Sequence, residues 1–254
     1  MRPVALALAA LGLASPAMAQ DVSADWDLTT DPARQVTLAT LNFGSNQMAL
    51  RCRTGVLDFL LTGVPTTVAS PAVTVTAGAI QNERQQWLAW PDQPIISPPE
   101  PARFARQLRA GGELDIRLDP GSAGERPRRY RLPVPPSIAA VDQVLSACSI
   151  PLNDDWDPRQ RAELGTAVWA RPIIPEFPEL AASRGVENGE VAVGCAIAAG
   201  GLLDECRILS ETPQGAGFGQ SALRSAERSR VELPDDEESV IGKVVTFTVR
   251  FRIS

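Results

Sequence analysis

Hydrophobic and polar residues alternate most regularly at the carboxyl end of the chain, over Val244–Ile253. A period of two residues is typical of a strand that has one buried face and one face in water. The pattern therefore predicts a half-buried antiparallel strand. Its buried face would consist of Val245, Phe247, Val249, Phe251 and Ile253, and its other face of Val244, Thr246, Thr248, Arg250 and Arg252.

Shorter segments of the same kind predict a β-rich domain over residues 20–150. Helices are predicted over Ala102–Arg109, which a Gly-Gly pair ends, and after Ser137, a good N-cap residue. Five prolines from Trp90 to Pro101 predict irregular structure in that stretch. The strand-like segments are Arg34–Phe43, Gln47–Arg53, Val56–Thr62, Ala72–Thr76, Glu83–Trp90, Glu113–Asp119 and Arg128–Val134.

A second, smaller unit is predicted over residues 176–254, after a proline-containing connector at residues 151–175. A short helix (Pro178–Arg184), a hairpin turning at Gly200-Gly201 and a helix (Phe218–Arg230) precede the last strand. The predicted fold class is therefore α+β. It combines an N-terminal antiparallel β-rich domain that has two helices with a small α-β-β-α-β domain.

The first 19 residues have the organisation of a secretory signal peptide. Arg2 precedes an apolar run, Val4–Ala14, and Ala17-Met18-Ala19 is a small-x-small cleavage site. The apolar run is shorter than the roughly 20 residues that a membrane-spanning helix needs. We therefore expect cleavage before Gln20 and a location in the periplasm, and an uncleaved anchor is the alternative.

Export changes the expected chemistry of the four cysteines. In an oxidising compartment they usually form two disulfides, and three connectivities are open. Nearness in sequence favours Cys52–Cys148 and Cys195–Cys206. With a two-residue turn at Gly200-Gly201, positions 195 and 206 lie opposite each other, whereas a three-residue turn would shift the pairing by one and require a bulge. Both disulfides are expected to be structural.

Composition excludes several classes of function. The chain has 254 residues, a formal net charge of −6 and no histidine. An acidic protein lacks the basic footprint that nucleic acids require. Without histidine, Ser-His-Asp and Cys-His catalysis and histidine metal sites are excluded. We therefore expect no nucleic acid, no metal, no cofactor and no enzymatic activity. An enzyme that works through carboxylates alone stays open, although no spacing picks out a pair.

An ordered set of short motifs marks residues 173–254. It comprises Phe177-Pro178, Gly189-Glu190-Val191, Gly200-Gly201, Arg207–Ser210, Phe218 and Ala222-Leu223, followed by the alternating last strand. In this order the motifs resemble the C-terminal domain of TonB-type energy transducers. The chain departs from the family pattern at Ser229, where a bulky aromatic residue is common.

The resemblance implies a periplasmic domain that binds a short segment of an outer-membrane transporter, or of another envelope protein, and is linked to transmembrane transport. Members of the family bind by strand addition, which uses unpaired backbone groups at a sheet edge. Arg250 and Arg252 would then select an acidic or polar partner, and a homodimer through the same edge is also expected. The candidate partner-strand residues are Val244, Thr246, Thr248, Arg250, Arg252, Ile174 and Phe177.

Two alternatives stay open. Arginine on an edge strand also prevents aggregation, so the edge can be one that binds nothing. The basic stretch that contains Arg128, Arg129 and Arg131 is a candidate anion patch. That patch would make the chain a cell-envelope protein that binds peptidoglycan or lipid headgroups, although a solvated strand face explains the same residues.

Overall fold

The structure, a computed structural model, describes residues 25–90, 92–121, 126–137, 139–162 and 169–253. The predicted signal peptide, residues 1–19, lies outside the described residues. Among the described residues of the first part of the chain, two helices, α1 (Pro101–Leu108) and α2 (Ala140–Ala147), accompany ten strands. The strands are β1 (Asp27–Asp31), β2 (Val36–Asn42), β3 (Gln47–Arg53), β4 (Val56–Thr62), β5 (Ala72–Ala77), β6 (Ile80–Gln86), β7 (Leu88–Ala89), β8 (Ile95–Ser97), β9 (Gly112–Leu118) and β10 (Arg128–Val134).

These strands form two antiparallel sheets that share one hydrophobic cluster with both helices. The six-stranded sheet has the order β1-β2-β3-β4-β8-β7, and the four-stranded sheet has the order β10-β9-β5-β6. Phe104 of α1 stacks edge-on against Phe59 and Trp87, with ring centroids 5.0 and 5.3 Å apart. Such pairs add to the burial of apolar area that stabilises the cluster. The prediction of a mostly antiparallel β-rich region with two helices is confirmed.

In this part of the chain, two of the described short strands, β1 and β8, lie where the sequence predicted none. β1 has a single apolar residue and is largely exposed, so it carries no hydrophobic pattern. β8 lies inside the proline-rich stretch, where the prediction of irregular structure is wrong. Ile95 and Ile96 pair with β4, and this is possible because Pro94 and Pro98 flank the strand instead of interrupting its ladder.

The amino-terminal end of α2 is capped by a carboxylate that is distant in sequence. Asp25 Oδ2 accepts hydrogen bonds from Ala139 N at 2.7 Å and Ala140 N at 3.1 Å. The predicted capping residue Ser137 contributes as well, because its Oγ accepts from Val141 N at 3.0 Å. Burial alone would raise the pKa of Asp25, but hydrogen bonds from Ala139, Trp26, Ser137 and Ala140 hold it below its usual value.

Replacing Asp25 with alanine should lower the free energy of unfolding by about 1 kcal/mol at neutral pH, because two helix N–H groups lose their acceptor. Since the folded-state pKa is lowered, the carboxylate stabilises the fold above its unfolded pKa of about 3.9. The contribution is lost as the pH falls through the folded pKa. Urea unfolding of both proteins at pH 7 and near pH 3 measures the difference, which should shrink at the lower pH. The exposed Asp27 supplies the control Asp27→Ala, and a difference independent of pH would contradict the capping role.

The carboxyl-terminal part is built on a three-stranded antiparallel sheet of order β13-β12-β15. Its elements are β11 (Trp169–Arg171), α3 (Glu179–Ser183), β12 (Asn188–Ile197), β13 (Leu203–Thr212), α4 (Phe218–Ala226), β14 (Arg230–Val231) and β15 (Val244–Arg252). The predicted α-β-β-α-β order is confirmed. α4 ends earlier than predicted because Arg230 and Val231 pair with β11. Ile253, predicted to be buried, is 49% exposed because it lies beyond the end of β15.

Both favoured disulfides are present. Cys52 of β3 is bonded to Cys148, directly after α2, and Cys195 of β12 is bonded to Cys206 of β13. The hairpin between β12 and β13 turns through three residues, Ala199–Gly201, and its pairing shifts between Gly194 and Ala196. The bulged alternative is therefore correct, and the two-residue turn is wrong.

Removing the Cys52–Cys148 bond should destabilise the fold more than removing Cys195–Cys206, because the sequence separations are 96 and 11 residues. In the chain-entropy account the two losses are roughly 4.7 and roughly 3 kcal/mol. Guanidinium unfolding of the double variants Cys52→Ala/Cys148→Ala and Cys195→Ala/Cys206→Ala measures both losses in the same background. A larger loss for the second pair would contradict this order.

Candidate strand-docking edge

The register between β12 and β15 determines which backbone groups of β15 point out of the sheet. The two strands pair without a shift from Asn188↔Arg252 to Ala196↔Val244. Lys243 O accepts from Ile197 N at 2.9 Å, and Ile253 N donates to Glu187 O at 3.1 Å. Odd-numbered residues of β15 therefore direct their backbone groups toward β12. The even-numbered residues direct theirs outward.

Val244 is the first outward-facing residue, and its backbone groups are already bonded. Its N–H donates to Gln160 O at 2.9 Å, and its carbonyl accepts from Ala162 N at 2.8 Å. The sequence placed Val244 in the partner-strand surface, but the chain at residues 160–162 occupies it. For the next four outward-facing residues, no outward backbone hydrogen bond joins them to any other residue that the structure describes. We call these four, Thr246, Thr248, Arg250 and Arg252, the docking edge.

The opposite edge of the sheet, β13, has a different shape. Its register with β12 shifts twice along its length, and Glu205 has a positive φ of 47°. Bulges twist an edge strand, and the charged residues Asp204, Glu205 and Glu211 disfavour pairing with another chain. Of the two edges, β15 is therefore the one suited to an added strand.

The side chains of β15 divide between a wet face and a core face, as the alternation predicted, except at Val244. That residue was predicted to face water and is fully buried. On the wet face, Thr248, Arg250 and Arg252 are exposed, and Arg250 Nε lies 3.4 Å from Glu190 Oε2 on the central strand. On the core face, Val245, Val249 and Phe251 are buried in the second hydrophobic cluster. An added strand would thus meet cations on one side of the sheet and apolar residues on the other.

The segment at residues 169–177 follows the core face of β15. At one end Trp169 stacks on Phe247, with centroids 5.2 Å apart, and at the other Phe177 lies 6.5 Å from Phe251. Between them Ile174 is 73% exposed. Of the two residues predicted to form a groove beside the edge, Ile174 is thus open to solvent, and Phe177 is half-buried in the core cluster.

Two serines of α4 and its following turn fix this segment. Ser221 Oγ donates to Glu176 O. Ser229 Oγ lies 2.7 Å from Ser225 O and 3.3 Å from Pro172 O, and its one hydroxyl proton is shared between these two carbonyls. Ser229 is the position where the sequence departs from the family pattern, and here it is buried and hydrogen-bonded. Neither contact could be predicted from the sequence. The acceptors are backbone carbonyls, which every residue has, so the residue types do not indicate them.

The three arginines of the predicted anion patch do not share one face of β10. Arg129 and Arg131 alternate with Tyr130, so they lie on the face opposite to Arg128. Arg129 forms an ion pair with Asp115, and Arg131 Nε lies 3.4 Å from the same carboxylate. The Arg129 hydrogen bond lowers the pKa of Asp115. The patch is therefore partly neutralised, and its binding role stays a prediction.

No group of three or more acidic, cysteine or histidine side chains that could hold a metal ion occurs in the described part of the chain. None of the described helices is both long and apolar enough to cross a bilayer.

Comparison with known proteins finds a similarity in the carboxyl-terminal part of the chain. The family described as Gram-negative bacterial TonB protein C-terminal matches residues 174–253. Among solved structures, the solution NMR structure of the Pseudomonas aeruginosa TonB CTD matches at 23% identity over 38% of this chain and 95% of that one, with a TM-score of 0.31. No curated protein matches the chain. With the α-β-β-α-β order on which the docking edge lies, residues 174–253 form a TonB C-terminal-like domain.

Proposed function

We propose that this chain is a periplasmic interaction protein whose TonB C-terminal-like domain binds an extended segment of another envelope protein as a fourth strand beside β15. The family match supports an interaction role in the envelope that is linked to outer-membrane transport. The observation that carries the mode of binding is the docking edge. It is an unshifted strand whose outward backbone groups have no partner in the described part of the chain.

Strand addition needs a row of backbone donors and acceptors in extended geometry. Thr246, Thr248, Arg250 and Arg252 each offer an outward N–H and C=O, spaced by the two-residue repeat of a strand. Main-chain hydrogen bonds of this kind supply affinity, and pockets or charges beside alternate side chains supply specificity. The backbone of the docking edge can therefore pair with many sequences, and the side chains on either side of it determine which of them bind.

The flanks of the edge define the chemistry of the partner. On the wet face, Arg250 and Arg252 are exposed cations near the open end of the strand, and they favour a carboxylate or a polar side chain. On the other face, Ile174 offers an exposed apolar surface. A segment that alternates acidic or polar residues with apolar ones satisfies both sides. We propose the N-terminal segment of an outer-membrane transporter as this partner.

The domain division is part of the same proposal. The residues that the structure describes form two separate hydrophobic clusters, one within residues 26–148 and one within residues 181–251. They support a β-rich domain at 20–150, a connector at 151–175 and the TonB-like domain at 176–254. Binding is thereby assigned to the TonB-like domain, and neither of the two domains is assigned a catalytic step.

Replacing Thr248 with proline should weaken binding of transporter N-terminal peptides at least tenfold. Proline removes the central outward N–H of the docking edge and places its ring on the outward side. The ladder to β12 is preserved, because the Thr248 N–H does not point toward β12. Fluorescence anisotropy with labelled peptides and the full mature chain measures the affinity.

The matched control is Thr248→Val, which keeps the N–H and the β-branched shape and should bind like the wild type. Circular dichroism confirms that both variants are folded. If Thr248→Pro binds as tightly as Thr248→Val, the partner does not add at this edge. If the wild type sediments as a dimer that Thr248→Pro dissociates, a second copy of the chain is the occupant instead.

A further inference from the structure

Residues 154–162, which we call the strap, lie across the beginning of β15 and the adjoining sheet face. Besides the two backbone hydrogen bonds to Val244, the strap contributes Trp156, which is only 3% exposed. A Cβ atom placed on Gly194 would lie 3.2 Å from the Trp156 ring, so the indole rests on the middle of the central strand. The Arg207 guanidinium stacks over the same ring, 4.2 Å from its centroid. The strap thus shields one end of the wet face.

The strap is held by the sheet it covers and by the amino-terminal domain. On the sheet, Arg207 of β13 lies 3.2 Å from Asp154 and Asp155, in partly exposed ion pairs. The buried ion pairs of the strap are made with the amino-terminal domain. Arg161 forms a two-pronged ion pair with Glu100, just before α1, at 2.8 and 2.5 Å. Asp157 accepts from Arg106 of α1, also in two-pronged geometry, at 2.6 and 2.8 Å. The Arg161 and Glu100 side chains are both more than nine-tenths buried. Arg161 also donates to the strap carbonyl of Arg159 at 2.7 Å, so one side chain both shapes and fixes the strap.

The fit between the strap and its surroundings is polar and incomplete. A cavity of about 200 Å³ remains between the strap, α1 and β13, lined in part by Arg103, Arg106 and Trp156. The buried Nε1–H of Trp156 has no acceptor among the described residues. An unpaired buried donor costs free energy, and this cost is removed when the strap leaves and the indole N–H meets water. The strap therefore has a physical reason to be releasable.

We propose that the strap is a releasable stop on the docking edge, held in place by the amino-terminal domain through the Arg161–Glu100 pair. With the strap in place, an added strand pairs only from Thr246 to Arg252. When the strap leaves, the outward groups of Val244 become available and the docking edge is longer. This inference deepens the proposed function and rests on it for the identity of the site.

The Val244 amide reports the strap directly, because its hydrogen bond to Gln160 O is made with the strap and not with β12. Hydrogen–deuterium exchange of the full mature chain, resolved by NMR, should show the Val244 amide exchanging at least tenfold faster in Glu100→Gln/Arg161→Gln than in the wild type. The Phe247 amide, which points toward β12, should be unchanged. Glu100→Gln alone is the milder variant, should the double variant fold poorly.

The control variant is Arg51→Gln/Asp58→Asn, which removes an ion pair of 2.6 Å between β3 and β4 of the six-stranded sheet. It should leave Val244 exchange unchanged. Equal Val244 exchange in the wild type and the strap variants would overturn the inference, and so would an equal rise at Phe247, since the whole sheet would then have loosened.

Peptide length provides a second readout. Adding two residues to a transporter-derived peptide, on the side that would face Val244, should not change its affinity for the wild type but should raise it at least threefold for the strap variant. An equal gain in affinity for both proteins would overturn the proposal that the strap stops the added strand. If no peptide binds either protein, the proposed function fails, and the exchange result still decides whether the strap is released.

Discussion

The backbone groups of β15 point alternately toward β12 and away from it, and the functional surface depends on this alternation. Each residue of an antiparallel strand directs its backbone groups to one side only, so a strand at the edge of a sheet satisfies half of its groups and presents the other half. In β15 the unshifted register with β12 keeps this division regular from Val244 to Arg252. The same alternation sorts the side chains, because odd-numbered residues pack on the cluster with α4. A single register therefore sets both the core and the exposed row.

The two edges of the small sheet differ because the β12–β13 hairpin is irregular. Its three-residue turn and the pairing shift near Cys195 produce a bulge, and Glu205 takes a positive φ there. Bulges and charges on β13 discourage the pairing of a further strand. The disulfide holds the irregular side together, and the regular side remains suited to a partner. The asymmetry is thus built into the hairpin and does not need a separate blocking element.

Local patterns predicted those parts of the molecule that local physics decides. The alternation in β15 and the helix after Ser137 follow from periodicity and helix capping. β1 and β8 were not predicted. β1 is nearly all polar, and β8 lies among prolines. The docking edge could be predicted as a strand with a wet face. The absence of Val244 from the docking edge could not be predicted, because its contacts with Gln160 and Ala162 use backbone atoms.

The strap shows why such a contact leaves no pattern in the sequence. Its anchoring pairs join residues 61 and 51 positions apart, Arg161 with Glu100 and Arg106 with Asp157. Arginines and carboxylates are common on any surface, so only the folded chain shows which of them meet. Buried ion pairs add little net stability compared with apolar packing, yet breaking one partner is costly. An anchor of this kind specifies a position more than it strengthens the fold. It therefore suits a segment whose place against β15 matters more than its permanence.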